Sequence, residues 1–316
     1  VKRAPHGRAE TTQTTTVNEP RDQMTSAQRW LLAIRPRTLT ASIVPVVVGL
    51  ALAPPRTAGD VVIAAITLAA AFAIQAAVNL ANDYYDWLGG IDTHERVGPT
   101  RVVQSGLLEP QAVRRGFVAC VIAAALLGVV LIARGGVPIL VVGVASLACA
   151  YAYAGGPWPL ASHGLGDVFV FAFFGLVPVC GTVWLQRGSL DAATLAAAVP
   201  IGLLAVAILV VNNLRDIATD SKAGKRTLAV RIGERTTRAQ YLALLATALV
   251  WPILLTPWFG AAVLLPLLAS PLAASTAREV MQRSGQTLNE MLGATARLQV
   301  VYGALLALGV AWTRLA

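Results

Sequence analysis

Asn79-Leu-Ala-Asn82-Asp83-Tyr-Tyr-Asp86 closes one long apolar stretch, and Asn212-Asn213-Leu-Arg215-Asp216-Ile-Ala-Thr219-Asp220 closes another. Asp92 follows the first group across Gly89-Gly90. An acidic side chain at the centre of a lipid-embedded helix costs about 2.5–3.5 kcal/mol. Two matched acidic groups kept at the ends of apolar runs therefore point to use, and the use that suits oxygen donors is a hard divalent cation. A cation held by carboxylates at a membrane surface points in turn to a diphosphate substrate with an apolar tail.

The runs that carry these groups set the fold class. The chain has 316 residues, 56% of them hydrophobic and 13% charged, against about 25% charged in soluble domains. Its mean hydropathy is +0.65. About nine apolar segments approach the roughly 20 residues needed to cross a bilayer. They fall near 28–53, 61–87, 110–133, 137–154, 164–187, 190–214, 236–256, 260–280 and 292–313. The reading is an all-α polytopic membrane protein with a central cavity site. Residues 26–316 form one transmembrane domain, and residues 1–25 a polar, Thr-rich tail without the apolar core of a signal peptide.

Charge adds an orientation. The chain holds 25 Lys and Arg, and all but Arg56, Arg134, Arg187 and Arg314 fall on one side of the expected spans. The positive-inside rule makes that side cytoplasmic, so the N-terminus and both acidic groups face the cytoplasm of a plasma membrane. The net charge of +9 thus belongs to inter-span loops and argues for no nucleic-acid partner. Cys120, Cys149 and Cys180 lie inside apolar spans with no CxxC spacing, which fits small buried hydrophobes and no zinc site.

Spacing arranges the polar groups. Asn79, Asn82, Asp83 and Asp86 fall at i, i+3, i+4 and i+7, one face of a helix. Asn213, Asp216 and Asp220 fall at i, i+3 and i+7 and also share a face. A single Asp at a helix end is ordinarily a solvated cap. Two facing groups would make an oxygen-lined space for two Mg2+ ions, with substrate phosphates completing the coordination. Arg215, Lys222, Lys225 and Arg226 surround the second group, and Arg101 and Gln104 follow the first. Positive-inside bias accounts for some of these cations, while a diphosphate clamp accounts for several together. Lys222-Ala-Gly224-Lys225-Arg226-Thr227 lacks the GxxxxGK[ST] of a P-loop, which disfavours a nucleotide triphosphatase. Arg35-Pro36-Arg37-Thr38-Leu39 opens the first span as an interfacial anchor, and Tyr151 to Leu160, which ends the fourth, reads equally as a Gly/Pro turn with interfacial aromatics or a functional loop. His163 and Asp167 follow that turn, and no mechanism rests on the lone histidine.

At these residues the sequence resembles the UbiA-type intramembrane aromatic prenyltransferases. Their NDxxD-led motif is matched by Asn82-Asp83-Tyr-Tyr-Asp86, and their DxxxD motif by Asp216-Ile-Ala-Thr-Asp220. Longer stretches resemble the branch that prenylates 1,4-dihydroxy-2-naphthoate. They are RPRTLTASIVP from Arg35, NLANDYYDWLGGIDT from Asn79, GPTRVVQSG from Gly98, YAGGPWPL from Tyr153, GLGDVFVFAFFG from Gly164, and NNLRDIATDSKAGKRTLAVRIG from Asn212. Asp86 and Asp92 are six apart, where many members space the corresponding pair by four.

The resemblance implies nine transmembrane helices and an Mg2+-dependent reaction. A polyprenyl diphosphate ionises, an electron-rich ring captures the cation, and a naphthoate acceptor loses CO2 to give demethylmenaquinone. It implies catalytic roles for Asp83, Asp86, Asp216 and Asp220. Metal binding involves these four with Asn79, Asn82, Asp92 and Asn213. Diphosphate contacts come from Arg101, Lys222, Lys225 and Arg226, and Arg37, Gln104 and Tyr153 line the acceptor side. Rival readings keep the fold with 4-hydroxybenzoate, homogentisate or another acceptor, or make the chain a secondary transporter. Transporters place such acids near the midplane on broken helices, whereas here they gather at one face.

Overall fold

A computed structural model describes residues 24–90, 97–154 and 159–315, and among them every regular element is helical. Asp92 and the side chain of Arg37 lie outside the described residues, as does the polar tail up to residue 23.

The chain enters through α1 (Ser26–Ile34), capped reciprocally by Thr25 and Gln28. It breaks at Arg35, whose φ of 56° is left-handed, and resumes as α2 (Pro36–Leu52). Proline disfavours the α conformation in the residue before it, which explains the break. The next elements are α3 (Ala58–Leu88) and α4 (Pro110–Ala154).

At about 1.5 Å per residue α4 would run about 67 Å, twice the hydrocarbon thickness. It does not run straight, because Gly136 adopts φ 68°, ψ −154°. Arg134 on α4 pairs with Asp60 at the start of α3 at 2.7 Å. Phe117 and Tyr151 on α4 both pack on Tyr85 near the end of α3, with centroid separations of 6.4 and 5.7 Å. So α4 is a hairpin of two spans that returns to the face where it began. The freed Gly135 carbonyl accepts the Trp184 indole N–H at 2.8 Å.

The chain continues through α5 (Gly166–Phe171), a π turn (Ala172–Leu176) and α6 (Val177–Arg187) as one span. It then forms α7 (Ala192–Lys222), and α8 (Leu228–Phe259) with a break at Gly233. A 3-10 stretch (Ala261–Ala269) leads into α9 (Ser270–Gln282), and α10 (Leu288–Leu315) follows. Among the described residues seven helices are long and apolar enough to span, or eight with the bent α1–α2 pair. Dividing α4 at Gly136 brings these to the expected nine. The sequence boundary at residue 214 is too early: α7 continues two further turns, so the second acidic group is inside a helix.

α7 is the axis of the bundle. Two-thirds of its most apolar window is buried, against 11% for α4, which faces lipid. Ile201, Leu204 and Val211 of α7 pack with Tyr241 of α8 and with Tyr302 and Leu306 of α10. Prolines inside these helices cost backbone hydrogen bonds, and aromatic donors recover two of the freed carbonyls. Pro200 frees Ala196 O, which accepts from Trp251 Nε1 at 2.8 Å. Pro252 frees Ala248 O, which accepts from the Tyr302 hydroxyl at 2.7 Å. The packing brings the ends of α3 and α7 into the wall of one cavity, which Asp86 and Asn213 both line.

Candidate active site

The last four turns of α3 carry a polar stripe, Gln75, Asn79, Asn82 and Asp86, all lining one cavity. Their spacing of four, three and four residues keeps them on one helical face. Asp83 differs from the sequence expectation. It is 1% exposed and outside the cavity lining. Its two carboxylate oxygens accept the backbone N–H groups of Val102 and Val103, both at 3.1 Å, and Arg35 lies 3.8 Å away. Asp83 anchors the loop after α3, and Asp86 faces the cavity.

Asn79 also serves position before ligation. Its Nδ2 donates to Ile34 O at 2.6 Å and to Thr38 Oγ1 at 2.9 Å, and its Oδ1 accepts from Gln75 at 3.3 Å. The carbonyl left over by the Arg35 break is thereby satisfied, and the α1–α2 corner is pinned to α3.

The anchored loop delivers Arg101, 6% exposed, whose Nη2 donates to Asp86 Oδ2 at 2.8 Å. Lys225, from the loop after α7, stands 3.7 Å from Asp86 Oδ1. That loop doubles back at Gly224, with φ of 74°. The Lys225 N–H donates to Asp220 O at 2.8 Å, and the Arg226 N–H to Ser162 O at 3.1 Å. Two cations from two loops thus converge on one buried carboxylate.

On α7, Asn212 and Asn213 line the cavity, while Asp216 and Asp220 are buried behind it. Arg215 forks onto Asp216, with Nε at 2.8 Å from Oδ1 and Nη2 at 2.5 Å from Oδ2. Its remaining donors reach Asn289 and Asn212, each at 2.9 Å. Asn289 in turn donates to Val97 O at 3.0 Å, tying α10 to the loop after α3. Tyr153 lines the cavity within electrostatic range of Asp86, Asp167 and Asp220.

The cavity has a volume of about 960 Å3. Its polar end is this convergence. Its other end lies between α3, α4 and α6, lined by Ala70, Leu131, Ile139 and Leu185. From Asp86 to Thr67, both in its wall, α3 rises about 28 Å at 1.5 Å per residue. A charged head and an apolar chain of bilayer depth fit the two ends.

Residues 42–312 match the UbiA prenyltransferase family. The chain belongs to this family. A 1,4-dihydroxy-2-naphthoate octaprenyltransferase from Mycobacterium tuberculosis is 40% identical over 296 residues, 92% of this chain and 100% of that protein. A protein of the same name from Escherichia coli is 36% identical over 303 residues, 91% of this chain and 96% of that one. The structure of a UbiA homolog from Archaeoglobus fulgidus bound to DMAPP and Mg2+ has a TM-score of 0.61 at 15% identity. It covers 88% of this chain and 99% of that chain, a likeness of fold.

As a UbiA prenyltransferase, the chain distributes its expected site residues unevenly. Asn79, Asn82, Asp86, Arg101, Tyr153, Asn213 and Lys225 line one cavity. Lys222 at the end of α7 and Arg226 in the loop after it are exposed, and Gln104 is half-buried outside the cavity lining. Among the described residues no three acidic, His or Cys side chains cluster as a metal site. The donors that do face the cavity, Asn82, Asp86 and Asn213, are all oxygens, which fits a hard cation completed by substrate phosphate. Arg35, Gln75 and Asn289 line the cavity without having been singled out for it. The Arg35-Pro36 dipeptide carried the one available signal, since a residue before proline at a helix start marks a break.

Proposed function

We propose that this UbiA prenyltransferase transfers a polyprenyl group from polyprenyl diphosphate to 1,4-dihydroxy-2-naphthoate, releasing pyrophosphate and CO2 and giving demethylmenaquinone. The observation that carries the reading is one cavity that joins the Asp86–Arg101–Lys225 convergence to an apolar chamber of bilayer depth. The naphthoate acceptor is favoured by the names of the relatives at 40% and 36% identity.

The chain's own groups divide the work. Arg101 and Lys225 turn from Asp86 to the diphosphate and neutralise the charge that grows on the leaving group. Asn82, Asp86 and Asn213 would hold Mg2+, with Asp216 and Asp220 behind them, and Asp92, six residues on from Asp86 in sequence, would add a carboxylate. When bound, Mg2+ supplies Lewis-acid stabilisation of pyrophosphate. Asp83 keeps the Arg101 loop in place. Leu131, Ile139 and Leu185 receive the tail and exclude water from the allylic carbon. The site opens to the cytoplasmic leaflet, in keeping with the Lys and Arg bias.

Purified protein is to be incubated with dihydroxynaphthoate, a mixture of prenyl donors and Mg2+, and the products weighed by mass spectrometry. Demethylmenaquinol with matching pyrophosphate is the expected result, abolished by chelator and restored by Mg2+. Prenylated 4-hydroxybenzoate or homogentisate in its place, from a parallel acceptor panel, would reassign the acceptor. Absence of pyrophosphate release with every acceptor would remove the enzyme reading.

A further inference from the structure

Only two carboxylates line the cavity among the described residues, Asp86 and Asp167. Asp86 faces two cations. Asp167, in the first turn of α5, faces none: no ion pair reaches it among the described residues, and its partner is the Gln240 amide of α8, 2.5 Å from Oδ2. A partly buried carboxylate in the wall of this cavity without a cation is costly and calls for a function. Beside it stands Tyr153, also in the cavity wall. A Cβ added at Gly166 would come within 3.5 Å of the Tyr153 hydroxyl, so that hydroxyl lies against the turn that carries Asp167. Besides the Gln240 amide, only Asp167's own backbone N–H bears on the carboxylate among the described residues, and a carboxylate has further acceptor positions for a donor in the cavity.

We infer that Asp167 is the group that takes the ring hydroxyl of the aromatic acceptor, with Gln240 holding its carboxylate in place. The inference rests on the prenyl-transfer reading above. The diphosphate is acceptor-only and seeks Arg101 and Lys225. The aromatic hydroxyl is a donor and seeks a carboxylate that no cation occupies. A hydrogen bond from that hydroxyl to Asp167 raises electron density on the ring. The carbon bearing the acceptor's carboxylate then bonds to C1 of the prenyl group. The C1–O bond of the donor breaks, and its electron pair leaves with pyrophosphate. The hydroxyl proton passes to Asp167 and the ring oxygen becomes a carbonyl. Loss of CO2 returns an electron pair through the ring to that oxygen, which takes the proton back from Asp167.

The test compares wild type, Asp167→Asn, Asp167→Glu and Gln240→Leu, with acceptor kinetics and binding of prenyl diphosphate measured separately. Asp167→Asn should lower acceptor kcat/KM about 100-fold, the size of a lost general base, with donor affinity within about twofold. Asp167→Glu should recover part of the rate, and Gln240→Leu should fall between. The acceptor methylated at that hydroxyl should be slow with wild type and no slower with Asp167→Asn. Wild-type acceptor kinetics in Asp167→Asn, or an equal loss of donor affinity, would overturn the inference. Should Asp167→Asn fail to fold, Gln240→Leu decides alike: weakened acceptor use at unchanged donor affinity supports it, and unchanged acceptor use overturns it. If the wild type ignores the naphthoate but prenylates another hydroxylated ring, the acceptor assignment fails alone, and the same comparison on that ring decides the role of Asp167.

Discussion

Asp83 and Asp86 lie three residues apart on α3 and serve different partners: Asp83 takes the Val102 and Val103 amides, and Asp86 takes the Arg101 guanidinium. The two substitutions should therefore separate. Asp83→Ala leaves two buried N–H groups without acceptors, at about 1–3 kcal/mol each, and should lower the thermal midpoint in detergent along with activity. Asp86→Asn keeps an oxygen acceptor for Arg101 and should lower the midpoint less than Asp83→Ala, while turnover falls at least 100-fold. Equal midpoints for the two variants would contradict the division of labour.

Lys222 ends α7 and Lys225 lies in the loop that follows, yet Lys225 faces the cavity and Lys222 faces solvent. Lys225→Ala should raise the KM for prenyl diphosphate about 10- to 100-fold, the equivalent of about 1.5–3 kcal/mol for a hydrogen bond to a charged group. Lys222→Ala and Arg226→Ala should each change it less than about threefold. Initial rates against donor concentration read this directly, and a large effect at Lys222 with none at Lys225 would reverse the loop assignment.

How much of this was legible beforehand follows from periodicity. Apolar runs of about 20 residues announce spans because lipid demands them, so the nine segments and the two polar faces could be read directly. Helical spacing puts Asp83 and Asp86 on a common face, but it does not say that a distant loop turns Val102 and Val103 toward one of them. The roles of Asn79 and Asp216 were hidden for the same reason. Asn79 is recruited by the break at Arg35, and Asp216 by its own neighbour Arg215. The Gln240–Asp167 bond joins residues 73 apart in sequence, with no spacing signal at all.

Gly175 in the π turn and Gly202 on α7 bring two backbones into contact. A Cβ on Gly175 would lie 2.3 Å from Gly202 Cα and 2.7 Å from Gly202 N. Backbone cannot yield as a side-chain tip can, so Gly175→Ala should destabilise by about 1–3 kcal/mol or more. Gly128, whose Cβ would meet nothing within 4 Å, is the control. Gly128→Ala should leave the thermal midpoint unchanged, and equal effects at both sites would count against the close α7 contact.

Asp191 caps α7 by accepting from the Thr194 N–H at 2.8 Å and the Thr194 hydroxyl at 2.6 Å. The Thr194 hydroxyl, with the Thr194 amide and the Arg187 charge, holds the Asp191 carboxyl below its ordinary 3.8 against the opposing effect of burial. A depressed folded pKa stabilises above the ordinary value, and the gain is lost as pH falls through the folded one. Asp191→Ala should therefore cost about 1 kcal/mol at neutral pH, and the gap between wild type and variant should close as pH falls below the ordinary 3.8 and through the depressed folded value. Half the side chain is exposed, so salt screens the Arg187 part. A gap that widens in acid would exclude the cap as its source.

The hairpin at Gly136 and the direction of α7 together fix which residues share a side of the membrane. Ser189 precedes α7 and Ser221 is in its last turn; both are exposed, and 31 helical residues lie from Ala192 to Lys222. At 1.5 Å per residue the helix is about 46 Å long, enough to cross the bilayer. With Cys120, Cys149 and Cys180 replaced, Ser189→Cys should react with a membrane-impermeant thiol reagent on intact cells, and Ser221→Cys only after permeabilisation. The reverse pattern would keep the fold and move the site to the outer face. Labelling of both from one side would break the topology itself, because α7 would then not cross the bilayer.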